Sequence, residues 1–175
     1  PTRRSSDLVT THADRYLATI AHEPHVFHCH HYNMFLQRSI EDGLGPEEAM
    51  RLQMSAAMEA ARHILSGQLA RDPAMNLTDK LVLAQRIFAT LGFGLADAST
   101  LTARGGRVRL LTSHYAIGWL AKWGTAKRPV CHFPVGFWMG ALCAAAQLPP
   151  ERLQGRELSC HAQGDAHCEL EIEVL

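Results

Sequence analysis

At 175 residues, with 47% hydrophobic and 19% charged side chains, the chain has the composition of one globular domain. It is large enough to bury about 68–70% of the surface its unfolded form exposes. Seventeen basic and 17 acidic residues give a formal net charge of zero, which excludes the strongly basic balance of a direct nucleic-acid or anionic-membrane binder. No apolar run approaches the roughly 20 residues that a membrane span needs, and the expected location is the cytoplasm.

Residues Pro1 to Leu8 are polar and rich in arginine and serine, and they resemble a sequencing adapter read in frame. Set aside, they leave 9–175 as a single domain and imply a gene fragment of environmental origin, a reading compatible with a piece of a larger regulator. Residues 24–32 are β-rich and entered through Pro24, so an extended segment is expected there, with Asn33 capping a helix over 34–41. The Asp42–Pro46 stretch ends that helix. Pro46 opens the next, with Glu47 and Glu48 in its first turn, running to about Arg71. Met50, Met54, Met58, Ala61 and Leu65 form one stripe, either core or the wall of an adaptable pocket. Asn76 and Asp79 cap a third helix, which Gly92 and Gly94 stop. Two strands, 95–103 and 107–114, are expected around a Gly105-Gly106 turn. A short helix with His114, Tyr115, Trp119 and Trp123 follows, then an apolar helix over 134–146 and a closing hairpin. Helices first, then hairpin, helix and hairpin, predict an α+β fold: N-terminal helices on an antiparallel sheet, with the C-terminal β-hairpin held by a metal site.

That site rests on Cys131, Glu157, Cys160 and Cys168. Three thiols and a carboxylate complete a tetrahedral set for Zn2+. Residues 160 and 168 flank a glycine-containing connection, so a hairpin with the matching register sets their β-carbons about 4.5–5.5 Å apart. A straight strand would send Glu157 and Cys160 to opposite faces, so a bulge near Leu158-Ser159 is required. Cys143 or His132 could substitute for Cys131. A disulfide, plain buried thiols and an iron–sulfur cluster are the alternatives, though three of five cysteines clustered with a carboxylate favour a metal.

Histidines 22, 25, 28, 30 and 31 surround Cys29. On a strand, Cys29 and His31 share a face. They could line a ligand pocket or, with Asn33, form a nucleophile set, or the segment is a solvated edge strand. His114 and Trp119 could likewise meet a small aromatic ligand or be core.

The run Arg156 to Leu170, of the form E-x-x-C-x-A-x-G-D-x-x-C, resembles the closing hairpin of the 4-vinyl-reductase-like, hydrocarbon-binding (V4R) domain family. Arg128-Pro129-Val130-Cys131 with Gly136 and Gly140 is similar to the cysteine and glycine helix before it. The resemblance covers roughly 80–175. It implies a small-molecule sensor module like that of phenol-responsive activators, zinc held by Cys131, Glu157, Cys160 and Cys168, and a homodimer. It also brings an enzymatic alternative, a tetrapyrrole vinyl-reductase accessory, beside a Cys29-dependent hydrolase. No G-x-G-x-x-G follows a strand to serve a reductase cofactor.

Overall fold

The structure, a computed structural model, describes residues 8–15, 17–26 and 28–175. The adapter-like segment lies outside these apart from Leu8. Three short antiparallel strands open the chain: β1 (Val9–His12), β2 (Leu17–Ile20) and β3 (Glu23–His25), in that order in the sheet. Helices α1 (His30–Leu44), α2 (Pro46–Leu69) and α3 (Leu77–Thr90) follow. Then come β4 (Ala96–Asp97), β5 (Gly105–Leu110), α4 (His114–Trp123), α5 (His132–Ala146), β6 (Leu153–Ser159) and β7 (Cys168–Val174). The second sheet has the order β4-β5-β7-β6, antiparallel throughout. The α+β class holds. The N-terminal three-stranded sheet was not expected, because its polar strands bury little beyond Leu8 and Ile20.

The core is built around α5. Its sequence is apolar on every side, as a helix enclosed by other elements must be. Against α2 it presents Gly136 and Gly140, where a β-carbon would stand 2.8 Å from Met54 Cα and 2.9 Å from the Met58 carbonyl carbon. The two backbones therefore touch. On the other side Gly155 of β6 leaves room for Val135 and Met139. The result is three layers: α2, then α5, then the sheet. On β7 the period-two alternation sends Cys168, Leu170 and Ile172 inward. Glu171 turns outward and pairs with Arg156 across the strands.

Three expectations are corrected. Residues 24–32 are not one extended segment: β3 ends at His25 and α1 begins at His30, with Cys29 as its N-cap. Asn33 lies inside the helix, its amide engaged elsewhere. Gly105-Gly106 is not the turn between β4 and β5. The turn closes at Thr102, whose N–H and C=O exchange hydrogen bonds of 3.0 Å with Gly105, and the glycines begin β5. Gly106 (φ 149°) passes so close to Leu101 that a β-carbon there would lie 3.1 Å from its Cα. The methionine stripe is not core throughout: Ala61 and Leu65 are buried, Met54 and Met58 pack half-buried against the core, and Met50 is exposed. The Asn76 cap forms as expected, accepting from the Asp79 N–H at 2.9 Å.

Candidate metal centre and aromatic pocket

Cys131 is the N-cap of α5, Glu157 and Cys160 sit at the end of β6, and Cys168 begins β7. The β6–β7 register slips between Glu157 and Ser159, so the bulge needed to bring Glu157 and Cys160 together is present. Ser159 pairs with Glu169, which carries the register on to residue 160 opposite residue 168.

One ligand atom from each of the four residues lies within 4.8 Å of every other, and the three thiols are fully buried. Cys131 Sγ and Cys168 Sγ are 3.5 Å apart, far beyond a disulfide bond, and all five cysteines are free. Two sulfurs on a tetrahedral ion with bonds of about 2.3 Å would be about 3.8 Å apart. The cluster is therefore close to a coordination shell. Surrounding groups already orient it: the His161 N–H donates to Cys168 Sγ at 3.2 Å, and Ser113 Oγ lies 3.2 Å from Cys131 Sγ. Glu157 Oε2 accepts from the Cys131 N–H at 2.8 Å, while among the described residues buried Oε1 has no hydrogen-bond partner and is available as the ligand atom.

The electrostatics agree with a cation site. Burial, then the neighbouring Cys160, pushes the Glu157 carboxyl up to about 8. Burial also raises the Cys131 thiol. The thiol hydrogen bonds from Cys131 and Cys168 hold Cys160 down, against burial. At Cys168 the bond to Cys131 lowers the thiol, but the bond to Cys160 and burial outweigh it and the net direction is up. Alone, the set thus keeps one thiolate at the expense of its neighbours. A divalent cation would stabilise the others in their charged forms. Cys143 and His132 stand apart from the set: the Cys143 thiol donates to Leu148 O at 2.8 Å, and His132 Nε2 faces Glu41 Oε1 at 3.7 Å.

A cavity of about 440 Å³ opens between α2, α5 and the β3–α1 connection. Phe93, Phe133 and Phe137 form its aromatic wall, with ring centroids 4.2 Å apart for Phe93 and Phe133. His114 supplies a polar handle. Burial, then His30, lowers its pKa, so the ring is neutral at ordinary pH. The Asn33 amide nitrogen donates to His114 Nε2 at 3.1 Å, which places the ring proton on Nδ1. Of the four residues singled out for ligand contact, His114 lines this cavity. Cys29 and His31 are exposed at the start of α1, Cys29 as its N-cap and His31 in its first turn, so they do not share a strand face. Buried Trp119 packs edge-on to Trp123, with Arg38 over its ring, beside a different cleft. Among the described residues no hydrogen bond joins Cys29 to His31. Asn33 is engaged by His114, so the nucleophile set is not assembled.

Sequence reasoning missed Phe133 and Phe137, although their i, i+4 spacing on α5 was legible. It also missed Gln37 and Glu41, which are buried on α1. Gln37 donates to Val130 O at 3.2 Å, and Glu41 pairs with Arg128 at 2.9 Å. Their signal was two polar residues four apart on the face that carries Met34.

No family model matches the sequence, and no curated protein matches it. Solved structures do. The phenol-responsive sensory domain of the transcription activator PoxR, solved with phenol, superposes with a TM-score of 0.82 at 16% identity, over 97% of this chain and 88% of that one. A vinyl-4-reductase family protein from Methanocaldococcus jannaschii gives 0.54 at 15% identity, over 83% of this chain and 80% of the other. The chain thus has the 4-vinyl-reductase-like fold that its C-terminal hairpin led us to expect.

Proposed function

We propose that this domain senses or carries a small, phenol-sized aromatic molecule, bound between Phe93, Phe133 and Phe137 with its polar group at His114. The observation that carries the reading is the neutral, half-buried His114, fixed in one tautomer by Asn33 and facing the three phenylalanines of a cavity that His25, His28 and Thr90 also line. Apolar walls with a few convergent hydrogen-bonding groups are the usual plan of a small-ligand site. Nδ1–H would donate to a hydroxyl oxygen. The likeness to the phenol-bound PoxR domain supports this choice of ligand class.

Zn2+ is the metal we assign to Cys131, Glu157, Cys160 and Cys168. Three sulfurs and one oxygen in a closed tetrahedral arrangement suit it, and four protein donors leave no position open for a reacting water. Its role is structural: it ties the β6–β7 hairpin to the start of α5, the helix that carries Phe133 and Phe137. The test is native mass spectrometry with elemental analysis on protein purified without added metal, followed by titration with phenol. One zinc per chain and a saturable phenol adduct are expected. A folded, metal-free chain would remove the zinc assignment, and a chain that ignores phenol would remove the pocket assignment.

A further inference from the structure

One face of α1 touches both sites. Asn33, Gln37 and Glu41 are spaced i, i+4, i+8, so they stand in a row along the helix. At one end Asn33 holds His114 Nε2. At the other, Gln37 donates to Val130 O and to Glu41 Oε1 at 3.1 Å, and Glu41 pairs with Arg128 and faces His132. The segment 128–132 is therefore gripped by α1 on both sides of Cys131. A carboxylate with 4% of its surface exposed and a glutamine with 2% are costly to bury. Among the described residues neither lines the aromatic cavity nor belongs to the thiol cluster. The helix between them is held rigidly against α4: Met34 fills the space above Gly118, where a β-carbon would come within 2.9 Å of Met34 Cγ.

We propose that this face of α1 is a relay between the aromatic pocket and the metal centre, with Gln37 and Glu41 as positioning residues for Cys131. The proposal rests on the pocket and zinc readings above. An occupant hydrogen-bonded at His114 Nδ1 moves the ring that Asn33 holds through Nε2, α1 responds as a body, and the backbone carrying Cys131 shifts with it. By linkage, a ligand that changes the grip on zinc must itself bind with an affinity that depends on zinc.

The test measures zinc release from the holo-protein into excess chelating dye, with and without saturating phenol. Without phenol, Gln37→Met and Glu41→Gln are expected to release zinc about tenfold faster than the parent chain. Leu65→Ala, a buried α2 variant outside the cavity lining and the thiol cluster, controls for general destabilisation and is expected to release zinc more slowly than either α1 variant. Phenol is expected to change release from the parent at least threefold, and to lose that effect in Asn33→Ala when phenol is raised to saturate that variant's own weaker affinity, measured by calorimetry. Release from the Gln37 and Glu41 variants no faster than from Leu65→Ala would overturn the relay. So would a phenol effect that is absent from the parent or equal in Asn33→Ala. A parent chain lacking zinc by elemental analysis, or lacking a phenol adduct, also overturns it, and identifies which underlying reading failed.

Discussion

Replacing Gly136 by alanine tests the architecture that shapes the pocket. The added β-carbon would lie 2.8 Å from both Cα and the carbonyl carbon of Met54, and still nearer to its oxygen. These are backbone atoms in the middle of α2, so no side chain can swing aside. The helices must separate instead. Overpacking of this kind costs about 1–3 kcal/mol, and a backbone clash belongs at the upper end. At about 2–4 °C per kcal/mol for a domain of this size, Tm should fall by about 6–12 °C. The matched control is Gly67→Ala, also on α2, where nothing lies within 4 Å. It should stabilise by about 0.5–1 kcal/mol because alanine suits a helix interior better than glycine. Differential scanning calorimetry of the two variants decides the matter. Phenol affinity should fall in Gly136→Ala, since Phe133 and Phe137 move with α5 while Ala60, Ala61 and Ile64 stay with α2. A Gly136→Ala variant melting within 2 °C of the parent, beside a stabilised Gly67→Ala, would refute the close helix contact.

Cys168→Ser should abolish zinc retention and destabilise the hairpin cooperatively, read as loss of the zinc mass and a large fall in Tm; an unchanged melt would refute a structural ion. His114→Leu keeps the volume but removes the polar handle, and should weaken phenol binding about tenfold by calorimetry, the loss of roughly one good hydrogen bond; equal affinity would place phenol elsewhere. Acid should act through Glu41. Burial raises this carboxyl, but His132, Gln37 and Arg128 together outweigh it and hold it at about 2, against an ordinary 4.5. A depressed folded value means the stabilisation is present above about 4.5 and is lost as pH falls towards 2. Linkage sets it at no more than about 3 kcal/mol, and screening at half-exposed Arg128 brings it to about 2. Urea midpoints of the parent and Glu41→Gln should therefore differ at pH 6 and converge by pH 2.5; a constant difference would refute this origin.

What the sequence disclosed followed from how local the governing physics was. The Asn76 cap, the Pro46 start and the enclosed α5 each depend on residues within one or two turns, and each was legible. The E-x-x-C spacing demanded a bulge because strand alternation left no other way to join Glu157 to Cys160. The β2–β3 hairpin escaped for the same reason in reverse. Ile20 pairs with Glu23 across a two-residue turn of Ala21 and His22, both at positive φ. That conformation usually announces itself by Asn-Gly. Here the turn is imposed by contacts remote in sequence, the Ala21 N–H on Leu8 O and Gln68 on Ala21 O. Asn33 misled for a related reason: its composition signals a cap, but its partner, His114, is 81 residues away. The aromatic cavity was invisible as a whole, because five separate stretches, 20–33, 60–64, 90–93, His114 and 133–137, supply its wall.

The innermost helix starts at the metal centre, and this bears on the order of folding. α5 has no side-chain cap of its own, and the N–H of its first flanking residue is held by Glu157, 26 positions later. The helix that everything else packs against therefore cannot finish its first turn until the last hairpin arrives. Closing that long loop comes before the reward, so the slow step in folding should involve β6 and β7 docking rather than helix formation. During synthesis the N-terminal helices would wait, their apolar faces unpaired, until β7 left the ribosome. Folding and metal capture would then be one event, completed only when the β6–β7 hairpin is made.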